Sequence, residues 1–291
     1  VGGYVNYTPT SATIQTDPTK TGYGAKETLT TDTSAKWRIL SIDEDTGKVL
    51  ITTQGPVNQV TLQGATGYLF GANELHRLCE KLYSNTSKSL TAESMTIEDL
   101  NKACNYIPPK DNLGYAWYPS NTTDEKLKDI KATNGKVYTA KRHTADLAAG
   151  VTKPRFYTWD DENGVTHTST NENDYNDSIT EETPILTSRT YYWYNPKDSN
   201  NTINDILGKN ENEKGWLASH SVYLKSDNEH AYFVMQYAFY ANTAGYGLFS
   251  SRGGSDTPSY GLRPVISFNI NRLNVSDTTK DGSESAPWEI K

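Results

Sequence analysis

Residues 260–267 read YGLRPVIS, a run in which apolar side chains follow a glycine and flank one arginine. Leu262, Val265 and Ile266 are typical of a buried strand, because aliphatic and β-branched side chains pack well on a sheet. Arg263 lies between two apolar segments, so we expect its guanidinium to pair with a carboxylate or with carbonyl groups. The stretch therefore predicts a closing strand in which the arginine has a structural role.

A hairpin near the N-terminus is the expected neighbour of this strand. Residues 37–51 read WRILSIDEDTGKVLI, with apolar runs on both sides of the turn sequence DEDTG, which is typical of a β-hairpin. We expect the hairpin and the closing strand to lie close together. Trp37 should belong to the buried core, as should Trp216 and Leu217.

Two helices are predicted in the N-terminal half of the chain. Between Gly71 and Asn85, leucines recur at intervals of three and four residues, which is the spacing of one helix face. A second helix is predicted from Thr96 to Asn105, because Thr96 can serve as N-cap with Asp99 three residues later, a variant of the capping box. Both helices should pack on the predicted sheet.

The rest of the chain combines short strands with long polar loops, so the fold class is α+β. We interpret residues 1–291 as a single domain. Residues 110–187 are predicted to be an elaboration inserted into that domain, because their apolar side chains are too sparse to form a core of their own. A turn rich in Asp and Asn at 160–164 predicts a second hairpin there.

The composition restricts the classes of partner. The net charge is −7 and no run of Lys or Arg occurs, which argues against nucleic acid or an anionic membrane as partner. The 20 Tyr and 6 Trp residues are too many for a disordered chain. No stretch approaches the ~20 apolar residues of a membrane span, so we expect membrane attachment only through a preceding N-terminal segment. A cytoplasmic and an exported protein both fit this composition.

The chain contains two cysteines, Cys79 and Cys104, each in a predicted helix. A disulfide between them would fit an exported protein, and two buried reduced thiols are the alternative. We predict that the two are within bridging reach, which requires Cα atoms no more than ~7 Å apart. No metal site or cofactor is expected, since neither the cysteines nor the five histidines have ligand spacing.

Conventional catalytic motifs such as GxSxG, HExxH or a Walker loop are absent from the sequence, so we do not expect an enzyme. The histidines are scattered. We interpret His76 as a residue on a helix surface, His167 as a strand residue, and His220 and His230 as loop residues.

Three short motifs resemble a known family in their order and spacing. WRIL at Trp37 to Leu40, WLAS at Trp216 to Ser219 and GLRPV at Gly261 to Val265 resemble the opening, late and closing strands of bacterial C-type-lectin-like proteins. That branch includes formylglycine-generating-enzyme-like domains and variable proteins diversified by retroelements. Residues 56–187 show only a general likeness to pilin-like surface proteins.

The resemblance implies a C-type-lectin-like scaffold whose residues 216–268 form a ligand-display region, and it implies an extracellular or cell-surface location. In this window many side chains are of the contact type found in antibody paratopes, where Tyr gives contact area and Asn or Ser adapts hydrogen bonds. We predict that most of them form a contiguous exposed patch. The candidate ligand-binding residues are Ser221, Tyr223, Tyr232, Val234, Gln236, Tyr237, Phe239, Tyr240, Asn242, Tyr246, Phe249, Ser250 and Arg252.

The expected function is therefore the binding of a protein or glycan on another cell, a phage or a host surface. An ordinary Tyr-rich sheet in a structural pilus or surface-layer subunit is the alternative. Formylglycine-generating chemistry would need late cysteines, and none follows Cys104. The sugar-binding triplets of calcium-dependent lectins are also absent from the sequence.

Overall fold

The computed structural model describes residues 1–105, 138–142, 157–160, 166–168, 185–187, 201–208, 210, 212–224, 231–239, 242–250 and 256–291. The helices are α1 (Pro18–Thr21), α2 (Gly64–Tyr83), α3 (Ile97–Ala103) and α4 (Asn201–Leu207), and a 3-10 turn spans Ile270–Arg272. The strands are β1 (Tyr4–Asn6), β2 (Thr13–Gln15), β3 (Thr28–Thr30), β4 (Trp37–Asp43), β5 (Lys48–Thr53), β6 (Val57–Thr61), β7 (Ala92–Ser94), β8 (Tyr138–Arg142), β9 (Tyr157–Asp160), β10 (Thr166–Thr168), β11 (Ile185–Thr187), β12 (Gly215–Leu224), β13 (Ala231–Phe239), β14 (Asn242–Ser250), β15 (Ser259–Leu262), β16 (Pro264–Asn269) and β17 (Trp288–Glu289).

The predicted N-terminal hairpin and closing strand meet in a six-stranded sheet with the order β17-β1-β4-β5-β16-β7. β4 and β5 form the hairpin, and β16 pairs antiparallel with β5 along residues 265–269. The hairpin and its proximity to the closing strand are thus confirmed. The fold class is mixed α+β, as predicted.

A five-stranded sheet with the order β14-β13-β12-β15-β6 contains the predicted display region. The long strands β12, β13 and β14 form an antiparallel meander, and β15 joins β12 in parallel. Two short connections lead directly from one large sheet to the other, one from β5 to β6 through Gly55 and Pro56, and one from β15 to β16 through Arg263. These two crossings lie side by side because β15 pairs with β6.

The closing strand is therefore not continuous as predicted, since Arg263 lies between strands of two different sheets. Its side chain is fully buried and donates hydrogen bonds from Nη2 to the carbonyl oxygens of Leu207, Glu213 (3.2 Å) and Ala238 (3.5 Å). The predicted structural role and the pairing with carbonyl groups are confirmed.

Helix α2 begins at Gly64, seven residues before the predicted start. Glycines in its first half lower helix propensity, but they allow close approach to neighbours. A Cβ at Gly67 would lie 2.8 Å from the carbonyl oxygen of Thr21, and one at Gly71 would lie 3.1 Å from Leu62. Tertiary packing thus determines a helix start that the sequence pattern missed.

Helix α3 follows the predicted pattern closely. The Thr96 side chain accepts a hydrogen bond from the Asp99 backbone, and the Asp99 carboxylate accepts one from Thr96 N at 2.8 Å. This capping box confirms the predicted N-cap. It satisfies backbone N–H groups that would otherwise lack partners at the start of the helix.

The buried side chains form two clusters. Trp37 and Trp216 belong to the larger one, which lies around α2, and the Trp37 ring contacts Tyr7 edge-on at 4.7 Å between centroids. Leu217 belongs to the second cluster, where it packs with Leu40 and with residues of α3 and α4. All three side chains predicted for the core are confirmed as buried.

Within residues 138–187, the described strands form a four-stranded sheet with the order β10-β9-β8-β11. The predicted hairpin around residues 160–164 is present, since β9 pairs antiparallel with β10. His167 lies on β10, as predicted. His220 was predicted to lie in a loop, and this was wrong because position 220 belongs to β12 and pairs with Met235. His143 and His230 lie outside the described residues.

The prediction that His76 is a helix-surface residue was also wrong. Its imidazole is partly buried, and Nδ1 accepts a hydrogen bond from Ser94 N at 3.0 Å. Ser94 belongs to β7, so this histidine joins helix α2 to the edge of the six-stranded sheet.

Candidate functional site

An aromatic cluster formed by Trp216, Tyr237, Tyr246 and Tyr260 lies on the five-stranded sheet. Trp216 and Tyr237 are cross-strand partners on β12 and β13. The parallel pairing of Gly215 with Gly261 places Tyr260 of β15 beside Trp216. The Tyr260 ring centre is 4.6 Å from that of Trp216, 4.7 Å from that of Tyr237 and 6.0 Å from that of Tyr246.

The inner part of this aromatic cluster is fixed by the core. Trp216 is fully buried and its Nε1 donates to the carbonyl oxygen of Val60 at 2.8 Å. Tyr237 is 8% exposed. Trp216 and Tyr237 therefore form the buried side of the cluster, where large aromatic side chains contribute most to packing.

The outer part of the aromatic cluster reaches solvent. Tyr246 and Tyr260 are both partly exposed. The Lys214 ammonium lies 5.6 Å from the Tyr260 ring centre and 5.8 Å from that of Tyr237, within cation–π range. Desolvation raises the pKa of Tyr260 and of Tyr246, and the charge of Asp256 adds to both shifts. Both phenols are therefore neutral at physiological pH.

The prediction of a broad exposed patch was wrong for Val234 and Tyr237, which are 2% and 8% exposed. Strand β13 has its two faces covered in this part of the fold. Met235 and Tyr237 belong to the cluster around α2, whereas Ala238 belongs to the cluster with α3 and α4. Alternation along a strand sends neighbouring side chains to opposite faces, so neither face is free here.

The structure places the remaining candidate ligand-binding residues as follows. Tyr246 is partly exposed on β14. The other positions lie on the three meander strands with side chains outside the described part, namely Ser221 and Tyr223 on β12, Tyr232, Gln236 and Phe239 on β13, and Asn242, Phe249 and Ser250 on β14. Tyr240 and Arg252 lie outside the described residues.

A second feature lies where the chain crosses between the sheets, beside the start of β12. It is a cavity of about 550 Å³, within the usual size range of small-ligand sites. Its walls come from segments far apart in sequence. They contribute the cation Lys36, the carboxylates Asp32, Asp205, Glu213 and Glu284, and the amides Gln54, Gln59 and Asn212.

Cations accompany three of the four carboxylates in this cavity. Arg38 Nη1 lies 2.7 Å from Asp205 Oδ2, and Lys36 pairs with Glu284. The guanidinium of Arg263 is attracted electrostatically by Glu213, although desolvation lowers the arginine pKa to about 9.

The polar side chains around the cavity are held by further contacts. The Tyr4 ring stacks on Arg38 with 4.4 Å between the guanidinium carbon and the ring centre, and Tyr4 OH donates to Gln54 Oε1 at 3.0 Å. Asp32 Oδ1 accepts hydrogen bonds from the backbone and hydroxyl of Ser34.

Sequence reasoning missed this cavity because its residues have no common motif. The one local signal in the sequence is Gly208, whose backbone conformation favours glycine. Gly208 has φ +141°, and a Cβ there would lie 2.6 Å from Glu213 Oε2, so the carboxylate packs directly against main chain. Conformations of this kind are accessible almost only to glycine.

The predicted disulfide was wrong. Cys79 and Cys104 are both free and buried, and they belong to different clusters, one around α2 and the other with α3 and α4. Burial also raises the pKa of the Cys79 thiol. The thiols thus behave as small apolar side chains.

Among the described residues, no group of three His, Cys, Asp or Glu side chains is placed to hold a metal ion. No helix in the described ranges combines the length and the apolar character needed to cross a bilayer. Comparison with protein-family models, with curated proteins and with solved structures finds no match to this chain.

Proposed function

We propose that the chain is a binding protein that works outside the cytoplasm, with a C-type-lectin-like scaffold that displays a ligand-contacting face on the meander β12-β13-β14. The observation that carries the proposal is the aromatic cluster, in which partly exposed Tyr246 and Tyr260 stand on buried Trp216. Rigid aromatic rings that combine a buried base with an accessible edge are typical anchors of binding interfaces.

The proposed face is narrower than the sequence pattern indicates. Its described part comprises Tyr246 and Tyr260 with Lys214 and Asp256 close to them. The buried ring of Tyr237 packs against Tyr260 on the inner side of this face. A protein ligand fits such a surface, because exposed aromatic rings bordered by single charges are typical of interface centres with polar rims.

Natural sequence variation tests this proposal. In close relatives of this chain, we expect substitutions to concentrate at meander positions such as Tyr223, Tyr232 and Tyr246. Trp216 and Tyr237 should remain constant because they are buried. An even spread of substitutions over exposed positions of the whole chain would contradict a dedicated display face.

A structural surface subunit is the second candidate, and one observation favours it. Strand β14 is the outermost strand of the five-stranded sheet in the described part of the chain, and an open edge can pair with another chain. Sedimentation velocity over a range of concentrations separates the two functions. A binding protein should remain a discrete species, whereas a subunit should form larger assemblies as its concentration rises.

A further inference from the structure

The cavity at the sheet crossing has a chemistry that differs from that of the aromatic cluster. Its walls carry carboxylates, amides and the cation Lys36, and no aromatic residue lines it in the described part of the chain. The ligand of such a site must satisfy many hydrogen-bonding groups at once, because polar groups left without partners on ligand binding cost free energy.

The charges of the cavity are largely compensated by the protein itself. Asp205 pairs with Arg38 and Glu284 with Lys36, while the buried guanidinium of Arg263 is attracted electrostatically by Glu213. Only Asp32 lacks a cationic partner among the described residues, and its Oδ1 accepts from Ser34. The carboxylates therefore act on a ligand mainly as hydrogen-bond acceptors, because most of their negative charge is compensated.

This arrangement restricts the ligand class. An anion would meet the uncompensated negative charge of Asp32, and an apolar ligand would remove water from the polar wall groups without replacing its hydrogen bonds. A cationic ligand would have to compete with Lys36 and Arg38 for carboxylates that are already paired. Neutral hydroxyl groups donate to carboxylates and both donate to and accept from amides such as Gln54 and Gln59, so they satisfy both kinds of group.

We propose that this cavity binds a neutral, hydroxyl-rich ligand, that is, a mono- or oligosaccharide, without a bound metal ion. Glu213 is the central acceptor. Its carboxylate packs against Gly208 on one side, and Oε1 accepts from Asn210 Nδ2 at 2.8 Å. A carboxylate held in place before binding loses little conformational freedom when the sugar arrives.

The cavity and the aromatic cluster use opposite sides of the same short segment, with Glu213 in the cavity and Lys214 at the rings. The sugar site does not depend on the aromatic cluster being a ligand-display face. Substitutions in the cavity should weaken sugar binding and leave the aromatic cluster intact, so failure of one proposal is distinguishable from failure of the other.

Saturation-transfer NMR on the full chain tests the sugar site. The probes are glucose, galactose, mannose and N-acetylglucosamine, with EDTA present, and spermidine is the cationic comparison. We expect saturation transfer to at least one sugar, with a dissociation constant on the order of 1 mM. Transfer to none of the four sugars, or to spermidine alone, would overturn the proposal.

Two variants locate the binding. Gln59→Ala and Asp32→Asn should each weaken sugar binding by about tenfold, whereas Glu44→Gln, an exposed residue in the β4–β5 turn, should leave it unchanged. Circular dichroism checks that each variant is folded. Sugar binding that both cavity variants retain at full strength would place the sugar elsewhere and overturn the assignment.

Discussion

The side chain of Arg263 lies so close to Gly215 that a Cβ at position 215 would come within 2.5 Å of Nε and 2.6 Å of Cγ. Gly215 begins β12, and Arg263 links the two large sheets. Nη2 of the buried guanidinium donates to the carbonyl oxygens of Leu207, Glu213 and Ala238. Neither partner can move aside, because displacing the arginine would leave buried polar groups without hydrogen bonds.

We therefore expect Gly215→Ala to lower the free energy of unfolding by about 1–3 kcal/mol, the usual cost of inserting a methyl group into a packed interior. Urea denaturation followed by circular dichroism measures it. Gly24→Ala is the matched control, because a Cβ at position 24 would meet nothing within 4 Å. Equal unfolding midpoints for the two variants would contradict the packing of Arg263 against position 215.

Tyr237 and Tyr246 should differ sharply when each is truncated. Tyr237 is 8% exposed within the large core, so Tyr237→Ala is expected to cost about 3–5 kcal/mol of stability, as for other buried aromatic residues. Tyr246 is partly exposed, and Tyr246→Ala should cost clearly less. Thermal unfolding of both variants measures the difference. A smaller loss of stability for Tyr237→Ala than for Tyr246→Ala would indicate that Tyr237 is exposed, as the sequence pattern predicts.

The elements that could be predicted from sequence are those whose signals are local. The β4–β5 hairpin has its turn residues between two apolar runs, and the Thr96–Asp99 capping box lies within four residues. Trp37 and Trp216 could be assigned to the core because large apolar side chains in short strands are usually buried. Each of these predictions depends on neighbours in sequence.

The rest depends on contacts between distant segments. Whether Tyr237 is exposed is decided by α2, which lies over that face of the sheet and begins about 170 residues earlier in the chain. The division of the closing strand into β15 and β16 at Arg263 follows from the pairing of β15 with β6, a strand about 200 residues earlier in the chain. Period-two alternation gives the face of each side chain but not which face is covered.

Cys79 and Cys104 are expected to stay reduced and unreactive in the folded protein. Both are buried, and burial raises the pKa of Cys79, so little thiolate is present to react. An aromatic disulfide reagent should detect no thiol in native protein and two thiols in urea. Peptide mapping without reduction that yields a Cys79–Cys104 linked peptide would contradict the separate placement of the two thiols.

Acid should weaken the contact between His76 and Ser94. The imidazole Nδ1 accepts a hydrogen bond from Ser94 N, and Nε2 is buried without a hydrogen-bond partner in the described part of the chain. Protonation would place a second donor against the Ser94 N–H and a buried charge at Nε2. Desolvation accordingly lowers the pKa of His76 below its usual 6.5, although the carboxylates of Glu93, Asp99 and Glu80 oppose the shift.

The sign of the pH dependence follows from linkage. Because the folded-state pKa of His76 lies below the unfolded value of 6.5, the unfolded chain takes up the proton first on acidification. This contribution to stability is complete above pH 6.5 and is lost as the pH falls through that value towards the folded pKa. Asp99 acts in the opposite direction at lower pH, since burial raises its pKa above 3.8.

The His76 contribution is therefore measured as a difference between two proteins. Urea unfolding between about pH 5 and 7 should show a stability that falls with acidification in the parent chain and falls less in His76→Gln, whose side-chain oxygen can still accept from Ser94 N. Taking the difference removes the effects of Asp99 and of the other titrating groups. If stability falls equally with acidification in both proteins, protonation of His76 does not contribute to the pH dependence.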